Sequence, residues 1–203
     1  MGEVARVRTA MGELELARAL RLGFEDVRAA SPTYNTVGGA WAHVALENAH
    51  GGAVWNYNLG NITTTGASGD YYTLTTQERV QRDPDVWQTR TLRYAAHPGP
   101  EQGAAAYWRL MFARYRPALD LFAAGEPSQA AYKLSELGYY TARPEAIART
   151  MAALFDEWKA RIAPALGVSP PPKAPMGGTW PILALLLGTA ILVRPTRRPR
   201  TRK

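Results

Sequence analysis

The chain of 203 residues contains no cysteine, which excludes disulfides, Cys-ligated zinc and thiol nucleophiles. Histidine is scarce: His43, His50 and His97 form no metal-binding spacing, so neither a metal nor another cofactor is expected. Residues 1–10 hold Glu3, Arg6 and Arg8 and lack an apolar run, so no signal peptide is expected there. No internal repeat is present. Excess charge is also missing from most of the chain. The net charge of +7 comes from the last ten residues, "RPTRRPRTRK", which hold six of the 24 Lys and Arg. The rest balances 18 bases against 17 acids, which is no nucleic-acid footprint. Nucleic acid is therefore not an expected partner.

What is there is enough apolar material, 46 %, for one folded domain with an appendage. Val4, Val7, Met11, Leu14 and Ala17 recur at helical spacing and predict a first helix reaching about Leu22. Thr36 is a plausible N-cap for a second helix, striped by Val37, Trp41 and Val44 and stopped at Gly51 and Gly52. From Asp70 to about Ala95 two β-rich runs flank "QRDPD" and read as a hairpin. Helices are predicted over 100–115, 117–124, 127–137 and 144–162, each with a proline in its first turn. The fold class is thus α+β, mostly α, with a small β-hairpin lobe, and the folded domain spans 1–162.

Residues 163–175, "APALGVSPPPKAP", read as an extended proline-rich linker. The next 18 residues, 176–193, carry no charge. As a helix they would measure about 27 Å, near the roughly 30 Å of a bilayer core. A C-terminal transmembrane helix is expected, with 194–203 as a basic tail drawn to anionic headgroups. The expected location is therefore a membrane, bacterial or virion, and the expected partner is lipid. Positive-inside charge places the tail in the cytoplasm, while no export signal accompanies the domain, so topology stays open.

The densest chemistry lies in "ALENAHGGAVWNYNLGNI", residues 45–62. Glu47 falls in a last helical turn, where the dipole's negative end and unpaired carbonyls disfavour a carboxylate. Leu46, Trp55 and Tyr57 could desolvate it. Both effects raise a pKa, as a general acid requires near neutrality. Asn56, Asn58 and Asn61 offer uncharged donors and acceptors of the kind that read sugar hydroxyls. Asn58 and Asn61 could equally hold their own turn. Trp55, Trp87 and Trp108 could be core or stacking platforms.

This block resembles the glucosaminidase family of bacterial autolysins, flagellar muramidases and phage lysins. "TTQE" (75–78), "HPGPEQGAAAYWRLM" (97–111) and "LGYYTARPEAIARTMAALF" (137–155) resemble its later elements in order, and the likeness covers about 20–155. His97 and Ile147 stand where the family usually has tyrosines. The resemblance implies a lysozyme-like fold that cuts the β-1,4 bond after N-acetylglucosamine in peptidoglycan glycan strands. It implies Glu47 as catalytic acid, Glu78 as second carboxylate and Tyr139 as active-site tyrosine. Asp70 is the alternative second acid; Asn58, Asn61, Tyr57 and Trp55 are the candidate substrate contacts. Muramidase or lytic transglycosylase specificity, or a weakly active glycan-binding or virion membrane protein, remain alternatives. Oligomeric state is open.

The anchor is checked by sedimentation. The full chain is expected to pellet with membranes without detergent, and a chain ending at residue 171 to stay in the supernatant. A full chain found in the supernatant refutes the anchor.

Overall fold

A computed structural model describes residues 2–65, 69–82, 85–140 and 142–171, with backbone only at 78, 79, 81, 82 and 85. Its frame is α2 (Tyr34–Glu47), whose residues Thr36 to Ala45 are all buried. A helix apolar on every side belongs at a centre, and α2 packs against α1 (Glu13–Arg28), α4 (Arg116–Ala124) and α6 (Pro144–Glu157). Close approach needs small residues. A Cβ on Gly38 would lie 2.5 Å from the Trp158 ring, and one on Gly39 2.6 Å from Phe122. The Thr33 hydroxyl caps α2 by accepting from the Thr36 N–H, so the helix starts three residues before the predicted position and ends at Glu47, ahead of the Gly51–Gly52 stop.

Helix α3 (Pro100–Arg114) lies along α1, and α5 (Pro127–Glu136) along α6. All four helices from α3 to α6 have proline in the first turn, as predicted. Trp41, Trp108, Trp158, Tyr107 and Phe122 are the largest side chains fully enclosed in the core. Among the described residues the single sheet is an antiparallel hairpin of β1 (Asp70–Arg82) and β2 (Asp85–Ala96), with Asp70 opposite Ala96 and an irregularity between Arg79 and Gln81. This is the expected mostly helical α+β domain with a hairpin lobe.

Two expectations are corrected. The predicted first helix does not begin at Val4 or end near Leu22; it runs from Glu13 to Arg28. Residues 3–11 are instead an extended strap, whose Val4, Thr9 and Met11 N–H groups donate to the carbonyls of Tyr71, Val54 and Gly51. Val7 is 52 % exposed while Met11 is buried in the core, so the apparent stripe does not lie on one face. The real α1 stripe begins at Leu16, Ala17 and Leu20. The domain also continues past Ile162. Its chain passes through a π-helical turn (Trp158–Ile162) into α7 (Ala163–Ala165); Ala163 is buried, and Leu166 and Val168 pack on the core. Residues 163–168 thus belong to the folded body rather than to an extended linker. Among the described residues no helix is long and apolar enough to cross a membrane; the expected span 176–193 and tail 194–203 lie outside them.

Gly103 of α3 tests how tightly the body grips the loop after α2. A Cβ there would come within 1.9 Å of the Tyr57 carbonyl oxygen. Gly103→Ala is expected to cost roughly 1–3 kcal/mol by forced displacement, read as a lowered urea midpoint. An unchanged midpoint would show that the loop yields freely.

Candidate active site

The segment from Asn48 to Ile62 leaves α2 and folds into a loop with an unusual backbone. Ala49, His50, Asn56, Tyr57 and Asn61 all have positive φ, between 45° and 58°. Non-glycine residues resist this conformation at roughly 1–2 kcal/mol each, asparagine least, so the loop needs bonds to hold it. Asparagines supply them. The buried Asn48 amide donates to the carbonyls of Val44 (3.2 Å) and Leu59 (2.6 Å). Asn56 accepts from the Val7 N–H and donates to the Ala5 carbonyl, tying the loop to the strap. Asn58 accepts from the Ile62 N–H at 2.7 Å and donates to the Ile62 carbonyl at 3.0 Å.

Asn61 is different. Its amide donates to the Glu47 carboxylate at 2.9 Å. Glu47 ends α2 and lines a cleft of about 310 Å³. Gly60, Asn61, Ile62 and Thr63 form one border, and Leu92 and Tyr94 of β2 the hairpin side. Leu110, Arg114, Tyr115 and Tyr139 close the helical side. Burial pushes the Glu47 carboxyl above its ordinary range; hydrogen bonds from Asn61 and Tyr140 pull it down without cancelling the rise. Beneath it lies an aromatic cage. His43, one turn earlier on α2, is fully buried with its ring 4.6 Å from Tyr139 and 5.7 Å from Tyr107 and Tyr140. Its Nδ1 and the Tyr107 hydroxyl share a 2.9 Å bond, and burial holds its pKa down at about 3, so the ring is neutral. The cage therefore desolvates the acid without offering it a counter-cation.

The other candidates divide. The Tyr139 ring lines the cleft, but its hydroxyl donates to the Gly60 carbonyl at 2.9 Å and positions the loop. The hydroxyl directed at Glu47 belongs to Tyr140. The sequence doublet marks two tyrosines after a helix-ending glycine and does not say which reaches the acid. Asn58, a candidate substrate contact, is 1 % exposed with its amide committed to Ile62, so it serves the turn. Trp55 is half-buried beneath the Arg6 guanidinium, 3.7 Å from its ring centre, and Tyr57 packs on the core; neither lines the cleft. Trp108 is core and Trp87 is 55 % exposed. Asp70 accepts from the Gly2 N–H at 3.0 Å and is not a cleft residue. Glu78 lies in β1 opposite Gln88, and its side chain falls outside the described residues. Among the described residues Glu47 is the one carboxylate lining the cleft.

Elsewhere, Glu13, His50 and Glu157 bring ligand-type atoms within 4.8 Å of one another. Arg161 donates to both carboxylates, so that position already holds a cation. A hollow of about 270 Å³ under Trp158 is lined by Arg18, Arg21, Tyr34 and Leu166 and has no carboxylate to perform acid–base chemistry.

No family model and no curated protein sequence matches the chain. Solved structures do. A mutant of a peptidoglycan hydrolase from Sphingomonas sp. A1 is 21 % identical, with TM-score 0.50 over 71 % of this chain and 86 % of that one. The glycoside hydrolase domain of Salmonella typhimurium FlgJ is 19 % identical, with TM-score 0.50 over 75 % and 89 %. The catalytic domain of the autolysin Auto from Listeria monocytogenes is 18 % identical, with TM-score 0.50 over 75 % and 87 %. This chain shares their fold.

The buried acid has a thermodynamic signature. Its folded pKa lies above the unfolded value of 4.5. Below that value both states hold the proton; above it the unfolded chain releases it first, so this group's contribution to stability falls as pH rises. Glu47→Gln is therefore expected to unfold at higher urea than the parent at pH 7, and at nearly equal urea at pH 4. A difference that does not change with pH would refute the buried, proton-retaining carboxyl.

Proposed function

We propose that this chain is a peptidoglycan hydrolase that cuts a β-1,4 glycosidic bond with Glu47 as general acid. The observation that carries the reading is a single desolvated carboxyl in a cleft, on a fold shared with solved peptidoglycan hydrolase and autolysin domains. The resemblance of residues 45–62 to the glucosaminidase family favours cleavage after N-acetylglucosamine. The carboxyl that retains its proton gives it to the bridging oxygen as the C1–O bond breaks. Water's oxygen then bonds C1 and its proton passes to a base, leaving Glu47 ionised until solvent reprotonates it. Asn61 and Tyr140 stabilise that ionised form and so help the proton leave. The base is Glu78 from β1; failing it, the substrate's own acetamido oxygen bonds C1 as the leaving oxygen departs, and water then opens that intermediate while giving its proton to the ionised Glu47. The neutral cleft-lining groups, Asn61 and the tyrosines, suit sugar hydroxyls. The uncharged run 176–193 and its basic tail would hold the enzyme at a membrane, in a bacterial or phage-associated setting.

The test is the release of reducing ends from purified sacculi. Glu47→Gln is expected to lose about two to four orders of magnitude, and Glu78→Gln a comparable amount if it activates water. Mass spectrometry of the digest identifies the bond: N-acetylglucosamine at the new reducing end supports the glucosaminidase reading. A muramic-acid end, or its anhydro form, would assign muramidase or transglycosylase chemistry instead. Full activity in Glu47→Gln refutes the mechanism, and sacculus binding without any product would make the chain a glycan-binding protein.

A further inference from the structure

The cleft that holds one acid also holds one base. Among its described lining residues, Glu47 and Arg114 are the charged ones. Arg114 is the last residue of α3 and is exposed. A helix-end arginine offsets the helix dipole wherever it points, so its position alone means little. Its surroundings say more. The neighbouring arginines have carboxylate partners: Arg109 pairs with Asp26 at 2.9 Å and Arg116 with Asp120 at 3.1 Å. Arg114 pairs with no carboxylate among the described residues. Its guanidinium stands 5.7 Å from the centre of the Tyr115 ring. That ring is nearly buried and packs edge-on against Tyr139 at 5.1 Å, within the wall that borders Glu47. Arg114 enters the cleft from the end of α3 and Glu47 from the end of α2, and no hydrogen bond or ion pair among the described residues joins them.

A guanidinium on an aromatic wall, open to solvent and lacking a carboxylate partner among the described residues, is arranged to take a carboxylate with two parallel hydrogen bonds. Neutral glycan has none to give. The peptide-bearing sugar of peptidoglycan has several, on the peptide attached through its lactyl ether. We propose that Arg114 is the anion subsite of this cleft and selects glycan substituted with carboxylate-bearing peptide over uncharged glycan. The inference rests on the hydrolase reading above and names the substrate feature that the enzyme measures.

The experiment compares soluble peptidoglycan strands with the same strands whose amines are acetylated and whose carboxylates are converted to carboxamides. On native strands Arg114→Gln is expected to raise KM roughly ten- to a hundredfold with kcat little changed, the span of a charge-assisted hydrogen bond. Added salt should erode the parent's advantage, and Arg114→Lys should recover part of it. On carboxamide strands the KM values of parent and Arg114→Gln should converge. Equal KM on native strands, or the same loss on both substrates, overturns the anion subsite while leaving the hydrolase intact. If the parent cleaves neither strand, the hydrolase reading fails. The subsite is then judged by binding of native strands to Glu47→Gln protein with and without Arg114→Gln: a ten- to hundredfold weaker Kd supports it, and equal Kd values overturn it.

Discussion

The constraint on which this molecule turns is the position of one carboxyl at the C-terminal end of a helix buried on every side. An exposed helix end would disfavour the charge by only about 0.3–1 kcal/mol, and solvent would screen much of that. Here the preceding turns are enclosed by α1, α4 and α6, and His43, Tyr107, Tyr139 and Tyr140 lie beneath the acid. Burial is the largest influence on Glu47, and no buried cation counters it. The neutrality of His43 matters as much as its bulk. A protonated imidazole one turn away would draw the carboxyl toward ionisation, but full burial keeps the ring uncharged at any pH near neutrality.

That arrangement explains the cost carried by the adjoining loop. Five non-glycine residues between Asn48 and Ile62 have left-handed backbone, a conformation they resist when unsupported. The support comes from side-chain amides and from outside the loop. Asn56 binds the strap, Thr9 accepts the Tyr57 N–H at 2.8 Å, and Gly103 leaves room for the Tyr57 carbonyl. The sequence places three asparagines at 56, 58 and 61, and each does a different job: one clamps the strap, one closes the turn, and Asn61 meets the acid. Loop strain is thus balanced by contacts distributed over the strap, α3 and the loop itself.

Much of this was legible because it follows from local physics. Prolines at helix starts, the β-rich pair around "QRDPD" and Glu47 in a last turn are readable from spacing and composition. What was not legible depends on partners distant in sequence. Val4, Val7 and Met11 have helical spacing, yet their segment is extended because its N–H groups meet carbonyls of the hairpin and the site loop some 40 to 70 residues away. The choice between Tyr139 and Tyr140 depends on where Gly60 lies, which adjacent identical residues cannot encode. The packing of Leu166 and Val168 was hidden by the prolines around them, whose composition reads as linker.

The burial that raises the Glu47 carboxyl, on which its proposed role as proton donor rests, also sets how far burial can go. A carboxyl sealed completely would hold its proton but could not release it to a substrate, because the anion left behind would have no stabilisation. Asn61 and Tyr140 resolve this conflict by bonding the ionised form, and both belong to segments that the site loop and the turn before α6 bring to the helix end. Their pull is smaller than the push from burial, so the proton stays until a new acceptor enters the cleft. In the proposed mechanism a sugar oxygen takes it, and the two donors are then already in position and need no reorganisation. Net elevation of the pKa, with hydrogen bonds arranged for the product carboxylate, is the electrostatic balance that general-acid chemistry demands. An acid raised by burial alone would be inert, and one held by hydrogen bonds alone would arrive already ionised.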